Sequence, residues 1–96
     1  MTVFKARPGV LLLEVCGEYL LVATGEARDV CPNITHINTS GAVLWKLILE
    51  EKKPERIIPR AQEELKLSPG DALRTVLSFT SKLMKSGYLI QAEEEP

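Results

Sequence analysis

The chain has 96 residues, 45% of them apolar and 26% charged, with 12 Lys and Arg against 13 Asp and Glu and a net charge of −1. That length supports one hydrophobic core and not two, because a half of about 50 residues buries too little apolar surface to be stable alone. The balanced charge counts against a duplex-DNA binder, whose affinity rests on phosphate contacts, and no apolar run approaches the ~20 residues a membrane-spanning helix needs.

The opening MTVFKARP lacks the apolar stretch of a signal peptide. A single soluble, cytoplasmic domain over residues 1–96 is expected, its core over about 8–90 and an acidic tail over 91–96 solvated and frayed. Val10–Val15 and Tyr19–Thr24 are short apolar runs separated by Cys16-Gly17-Glu18, the pattern of a β-hairpin with a three-residue connection. Both runs are apolar at both parities, unlike a strand with one wet face, so something covers the second face: the chain's own residues or a partner. After a polar connection, Asn33–Ile37 reads as a third strand with at least one unpaired edge; Pro32 cannot donate to a ladder, which places the segment on a sheet edge or makes Pro32 its entry point.

Helical patterns fill the second half. Asn38, Thr39 or Ser40 can cap a first helix whose apolar set is Val43, Leu44, Leu47 and Ile48, with Trp45 off that stripe as a core or half-core aromatic. Pro54 suits the start of a second helix, but Pro59 costs an internal hydrogen bond, so a kink or tight turn is expected there and regular helix from about Ile58 to Lys66. Ser68-Pro69-Gly70-Asp71 supplies an N-cap, a first-turn proline and an acid for a third helix, and Gly87 supplies its stop. Leu73, Val76, Leu77, Thr80, Leu83 and Met84 fall on one side of it; Arg74, Ser78, Ser81, Lys82 and Lys85 fall on the other and form a basic stripe. Tyr88-Leu89-Ile90 is a short extended end. The expected fold is therefore α+β: an N-terminal three-stranded antiparallel sheet followed by a three-helix, winged-helix-like bundle.

Chemistry is sparse. Cys16 and Cys31 read as reduced thiols, and with His36 the only histidine they leave a tetrahedral zinc one ligand short, so no metal is expected. The six glycines are isolated and form no phosphate-cradling loop, no Ser/His/Asp set has usable context, and Glu63 and Glu64 read as a solvated helix face. No catalytic residue and no cofactor is expected; the basic stripe is the feature that suits an acidic partner.

The stretch Ile37-Asn38-Thr39-Ser40-Gly41-Ala42-Val43-Leu44-Trp45-Lys46-Leu47 resembles the L-N-x-[ST]-G-A-x-x-W-x-L signature of PqqD-like proteins, and Leu83 to Ile90 resembles that family's L-x-x-x-G-[LYF]-[IL] ending. The likeness spans roughly residues 8–90; Pro59 and the Cys31-Pro32 pair depart from the pattern. PqqD-like proteins are RiPP recognition elements, small non-catalytic domains that bind the leader of a ribosomally made precursor peptide and present it to a modifying enzyme. The namesake acts as a peptide chaperone beside a radical SAM enzyme in pyrroloquinoline quinone (PQQ) biosynthesis. The resemblance implies that a leader adds as a strand to Asn33, Ile34, Thr35, His36 and Ile37 and lies against Arg74, Leu77, Ser78, Ser81 and Lys85. The implied partners are a precursor peptide and a radical SAM or other peptide-modifying enzyme.

Two other readings stay open on the residues alone. One is a winged-helix nucleic-acid binder with the third helix as recognition helix, disfavoured by the charge balance. The other is an assembly module whose doubly apolar hairpin forms a homodimer or docks on a larger enzyme.

Overall fold

The computed structural model describes residues 2–31 and 34–93. Among these described residues, five strands and three α-helices follow one another: β1 (Thr2–Ala6), β2 (Val10–Val15), β3 (Glu18–Ala23), a 3₁₀ turn over Gly25–Asp29, β4 (Thr35–Ile37), α1 (Thr39–Glu51), α2 (Pro54–Glu64), α3 (Pro69–Ser86) and β5 (Leu89–Glu93). The class is α+β as expected, but the strands form two sheets. An antiparallel sheet of order β2-β3-β4 is joined by a separate antiparallel pair, β1-β5.

The β1-β5 pair corrects the expected boundaries of the core. Thr2 pairs with Glu93 and Ala6 with Leu89, so residues 91–93 belong to a strand and not to a frayed tail; residues 94–96 lie outside the described ones. Val3, Phe4 and Leu89 are buried in consequence. The pair is fastened at its middle and at one end: the Phe4 N–H donates to the Lys52 carbonyl at the end of α1, and the Arg7 N–H, just past β1, donates to the Tyr88 carbonyl.

The β2-β3 hairpin closes through two residues rather than three. Cys16 at φ 51° and Gly17 at φ 80° both occupy the left-handed region, the requirement of a type I′ turn, whose twist matches that of the flanking strands. In the register Val10↔Ala23, Leu12↔Leu21 and Glu14↔Tyr19 share one face, and Leu11↔Val22, Leu13↔Leu20 and Val15↔Glu18 the other. Val10, Leu21 and Ala23 pack into the core, whereas Leu11, Leu13 and Val15 remain exposed. The chain's own residues therefore do not cover the second apolar face.

Helix α1 starts where the Asn38 side chain accepts the Gly41 N–H at 2.7 Å, leaving one fewer orphan donor in the first turn. Its buried face carries Leu44, Leu47 and Ile48 together with Trp45, which is 2% exposed. Helix α2 begins at Pro54 and runs through Pro59 to Glu64, against the expected clean stretch from Ile58 to Lys66. Glu55, whose carbonyl loses the Pro59 partner, and Pro59 itself are both exposed, so that carbonyl is open to water and the helix tolerates the break in its ladder. Arg60 reaches Glu51 at 2.6 Å, Glu50 at 3.2 Å and Glu64 at 3.6 Å, tying α2 to the end of α1.

Helix α3 has the expected ends: the Ser68 hydroxyl accepts the Asp71 N–H, Pro69 opens the first turn, and Gly87 closes the helix at φ 88°. Ala72, Val76, Thr80 and Leu83 form its buried stripe. Leu73 and Leu77, expected on that stripe, are 44% and 53% exposed. At 100° per residue they lie at its margin, on the side away from Phe79 and Lys82.

Candidate functional site

The order β2-β3-β4 makes β4 an edge strand. Its free backbone groups follow from the register. A two-residue turn makes Val15 and Glu18 a hydrogen-bonded pair, and alternation then makes Leu13–Leu20 and Leu11–Val22 hydrogen-bonded pairs too. The Thr24 N–H, donating to the Gly9 carbonyl at 2.8 Å, continues that series. Leu20 and Val22 thus bond to β2, while Tyr19 and Leu21 direct their N–H and C=O toward Ile37 and Thr35 of β4. His36, opposite Leu20, is left with its N–H and C=O aimed at the open edge. Its side chain is exposed on the outer face of the sheet; those of Thr35 and Ile37 are half-buried on the inner face.

A cleft of about 230 Å³ lies between β4 and α3, with Thr35, His36 and Ile37 on one wall and Phe79, Lys82 and Leu83 on the other. A second cavity of about 490 Å³ shares Asn38, Gly41, Phe79 and Lys82 with the first and adds Arg74 and Ser78 farther along α3. The first turn of α1 thus sits where the two meet.

Local packing holds these walls. The Thr35 hydroxyl donates to the Tyr88 hydroxyl oxygen at 2.9 Å, and the Cys31 thiol donates to the Ser86 carbonyl at 3.3 Å, fastening β4 and the segment before it to the end of α3. A Cβ at Gly87 would lie 2.7 Å from Val30 Cγ1 and 3.1 Å from Cys31 Sγ, so a larger residue there would push this segment away. At the other end, a Cβ at Gly41 would lie 3.1 Å from Asn38 Oδ1, 3.2 Å from Phe79 Cε1 and 3.3 Å from Ile37 Cβ. The missing side chain of Gly41 lets the Phe79 ring close against α1 and set the floor of the cleft.

The electrostatics are one-sided. Arg74 is hydrogen-bonded to Asp71, and that bond, with a further contribution from Ser68, holds the Asp71 carboxyl below the usual carboxylate range. Lys82, which borders both cavities, makes no ion pair among the described residues, and neither cavity is lined by a carboxylate. Burial pushes the Cys31 thiol up, with Arg7 offsetting part of the rise, so at neutral pH this sulfur is a protonated packing group. Among the described residues no three His, Cys, Asp or Glu side chains gather in a geometry that could hold a metal ion.

Of the residues expected to meet a peptide, Thr35, His36 and Ile37 form the edge and line the cleft. Ile34, just before the strand, is exposed and borders a separate cavity with Val22 and Arg28. Asn33 lies outside the described residues, as does Pro32. Arg74 and Ser78 line the second cavity. Leu77, Ser81 and Lys85 line neither: Leu77 and Ser81 lie off the flank defined by Arg74, Ser78 and Lys82, and Lys85 lies nearly a turn beyond it. Phe79 was missing from the expected set, and so was Lys82 despite its place in the basic stripe. The i, i+4, i+8 series of Arg74, Ser78 and Lys82 marks the flank; nothing local reveals that Gly41 admits Phe79 to it.

No family model matches the sequence, and no curated protein matches it either. Solved structures do. The chain superposes on TbiB1, solved in complex with the TbiA(beta) leader peptide, with a TM-score of 0.73 and 19% identity over 95% of this chain and 99% of that one. It superposes equally on a lasso peptide synthetase B1 complexed with the leader peptide, with a TM-score of 0.73 and 17% identity over 91% and 96% of the two chains. The chain shares the fold of two proteins that were solved with a leader peptide bound.

Proposed function

We propose that this protein is a non-catalytic adaptor that binds the leader of a ribosomally made precursor peptide by strand addition to β4. One observation carries the reading: the edge strand presents a His36 N–H and C=O with no backbone partner among the described residues and borders a cleft whose far wall is α3. Strand addition takes affinity from backbone pairing and specificity from pockets that receive alternate side chains. A residue paired across from His36 places its side chain on the outer face, and its two neighbours turn theirs inward, against Ile37, Phe79 and Leu83. The contact set we assign is Thr35, His36, Ile37, Arg74, Ser78, Phe79 and Lys82, with Ile34 at the strand entrance.

We extend the proposal to a second partner. The exposed outer face formed by Leu11, Leu13 and Val15 suits contact with another protein, and contiguous apolar patches of this kind mark such contacts. We assign it to the peptide-modifying enzyme, a radical SAM enzyme or one of another class, in the cytoplasm. Among the described residues no helix is long and apolar enough to cross a membrane.

The test is titration of ¹⁵N-labelled protein with the leader of a precursor peptide encoded beside its gene. The proposal expects amide shifts at Ile34–Ile37 and along Arg74–Lys82. Shifts confined to α2, or saturation without any change at β4, would end it. Light scattering across a hundredfold concentration range separates an enzyme-docking face from a homodimer contact: a constant monomer mass favours the first.

A further inference from the structure

We propose that the larger cavity, between the amino end of α1 and α3, is a second subsite of the same peptide, selective for a carboxylate-bearing residue held by Lys82 and placed on the amino-terminal side of the strand-adding segment. The inference rests on the leader-binding reading and adds to it a ligand chemistry and a direction.

The direction comes from the course of β4. The strand runs from Thr35 to Ile37 and on to Asn38, and Asn38 borders the larger cavity. Every pairing in the two sheets is antiparallel, and antiparallel ladders have the better hydrogen-bond geometry. A peptide added to the open edge in that sense runs opposite to β4. The residues before its paired segment therefore pass Asn38, and the residues after it leave past Thr35. Asn38 borders the larger cavity on the α3 side and another, which carries the Glu18 carboxylate, beside the β2-β3 turn; an acidic residue is repelled from the second and directed to the first.

The chemistry comes from the charges. Two cations border this cavity, Arg74 and Lys82, and no carboxylate does. Arg74 is already engaged by Asp71. Lys82 makes no ion pair among the described residues and stands where the two cavities meet. The first turn of α1 bears no acid, so its partial positive charge adds to the same field. Phe79 and Leu44 supply an apolar wall against which the stem of a Glu side chain can lie. A basic peptide segment gains nothing here and meets like charge.

The experiment is selection from a phage-displayed library of random dodecapeptides, panned in parallel on the full wild-type chain and on Lys82→Glu. Lys82 is exposed, so both proteins should melt alike, and a melting curve checks this. Wild-type selection should enrich Asp or Glu at a fixed offset before a pair of apolar residues spaced i, i+2. Selection on Lys82→Glu should lose that acid or replace it with Lys or Arg. The best acid-bearing peptide should bind Lys82→Gln about two- to fivefold more weakly, the effect of a partly exposed ion pair. Enriched peptides that protect the His36 amide yet show no acid, or show it after the apolar pair, overturn this inference and leave strand addition standing. Failure to enrich any peptide overturns the leader-binding reading, and this inference with it.

Discussion

Substituting Gly41 by Ala separates the stability of the fold from the shape of the site. Gly41 is the third residue of α1, where Ala gains up to about 1 kcal/mol of helix propensity over Gly. Against that gain stand three contacts. The added Cβ would lie 3.1 Å from Asn38 Oδ1, 3.2 Å from Phe79 Cε1 and 3.3 Å from Ile37 Cβ, so each neighbour must give way by a few tenths of an ångström. Ile37 Cβ is fixed by the β3-β4 ladder. Asn38 Oδ1 is fixed by its 2.7 Å bond to the Gly41 N–H, and loosening that cap costs about 1 kcal/mol. The half-buried Phe79 ring is the freest of the three, and turning it about 30° off its rotamer costs roughly 0.5–1.5 kcal/mol. Gain and loss cancel, so Gly41→Ala should melt within about 4–8 °C of the wild type. The ring moves into the cleft, and a peptide recovered by the library selection should bind several-fold more weakly. Calorimetric melting and fluorescence titration read the two effects separately. Affinity unchanged in Gly41→Ala, whatever its melting temperature, would refute the role assigned to Gly41 and Phe79.

Other outcomes follow from the same geometry. Trp45→Ala removes a ring that is 2% exposed and should cost about 3–5 kcal/mol in denaturant unfolding; a loss under 1 kcal/mol would contradict its core placement. Pro at Thr35 deletes an N–H that faces Leu21 and disturbs the hydroxyl contact to Tyr88, so it should unfold β4, with near-ultraviolet dichroism as the readout. His36→Pro deletes an N–H that faces the open edge, so it should keep the native spectrum and abolish peptide binding. Cys16, exposed, should react with a thiol reagent at pH 7.5 well before Cys31, whose burial keeps it protonated; equal rates would contradict the packing of Cys31 on Ser86.

The local elements were legible where one stretch of sequence contains its own cause. Ser68-Pro69 with Gly87 bounds α3, and Asn38 ahead of a 3.6-residue apolar period starts α1. What escaped depends on residues far apart. Strand β1 alone is five residues with Val3 and Phe4 buried side by side, and its reason to exist is β5, more than 80 residues away. The reach of α2 through Pro59 depends on which side of the helix faces water, and a proline carries no sign of that. The edge character of the third strand was readable from chain order; Pro32 lies outside the described residues and ahead of the strand. The particular residue that offers its backbone, His36, needed the register, which the two-residue turn at Cys16-Gly17 fixes. A three-residue connection would have changed the alternation and moved the free groups to a neighbour.

The most direct test of the central claim is amide hydrogen exchange at β4, with and without a saturating leader or selected peptide. In the free protein Thr35 and Ile37 are bonded to β3 and should be protected, whereas the His36 amide should exchange near the unprotected rate. Peptide binding by strand addition should slow His36 at least tenfold while Thr35 and Ile37 change little. A His36 amide that exchanges equally fast in the complex, with protection gained on α2 or at the β2-β3 turn instead, would contradict the account.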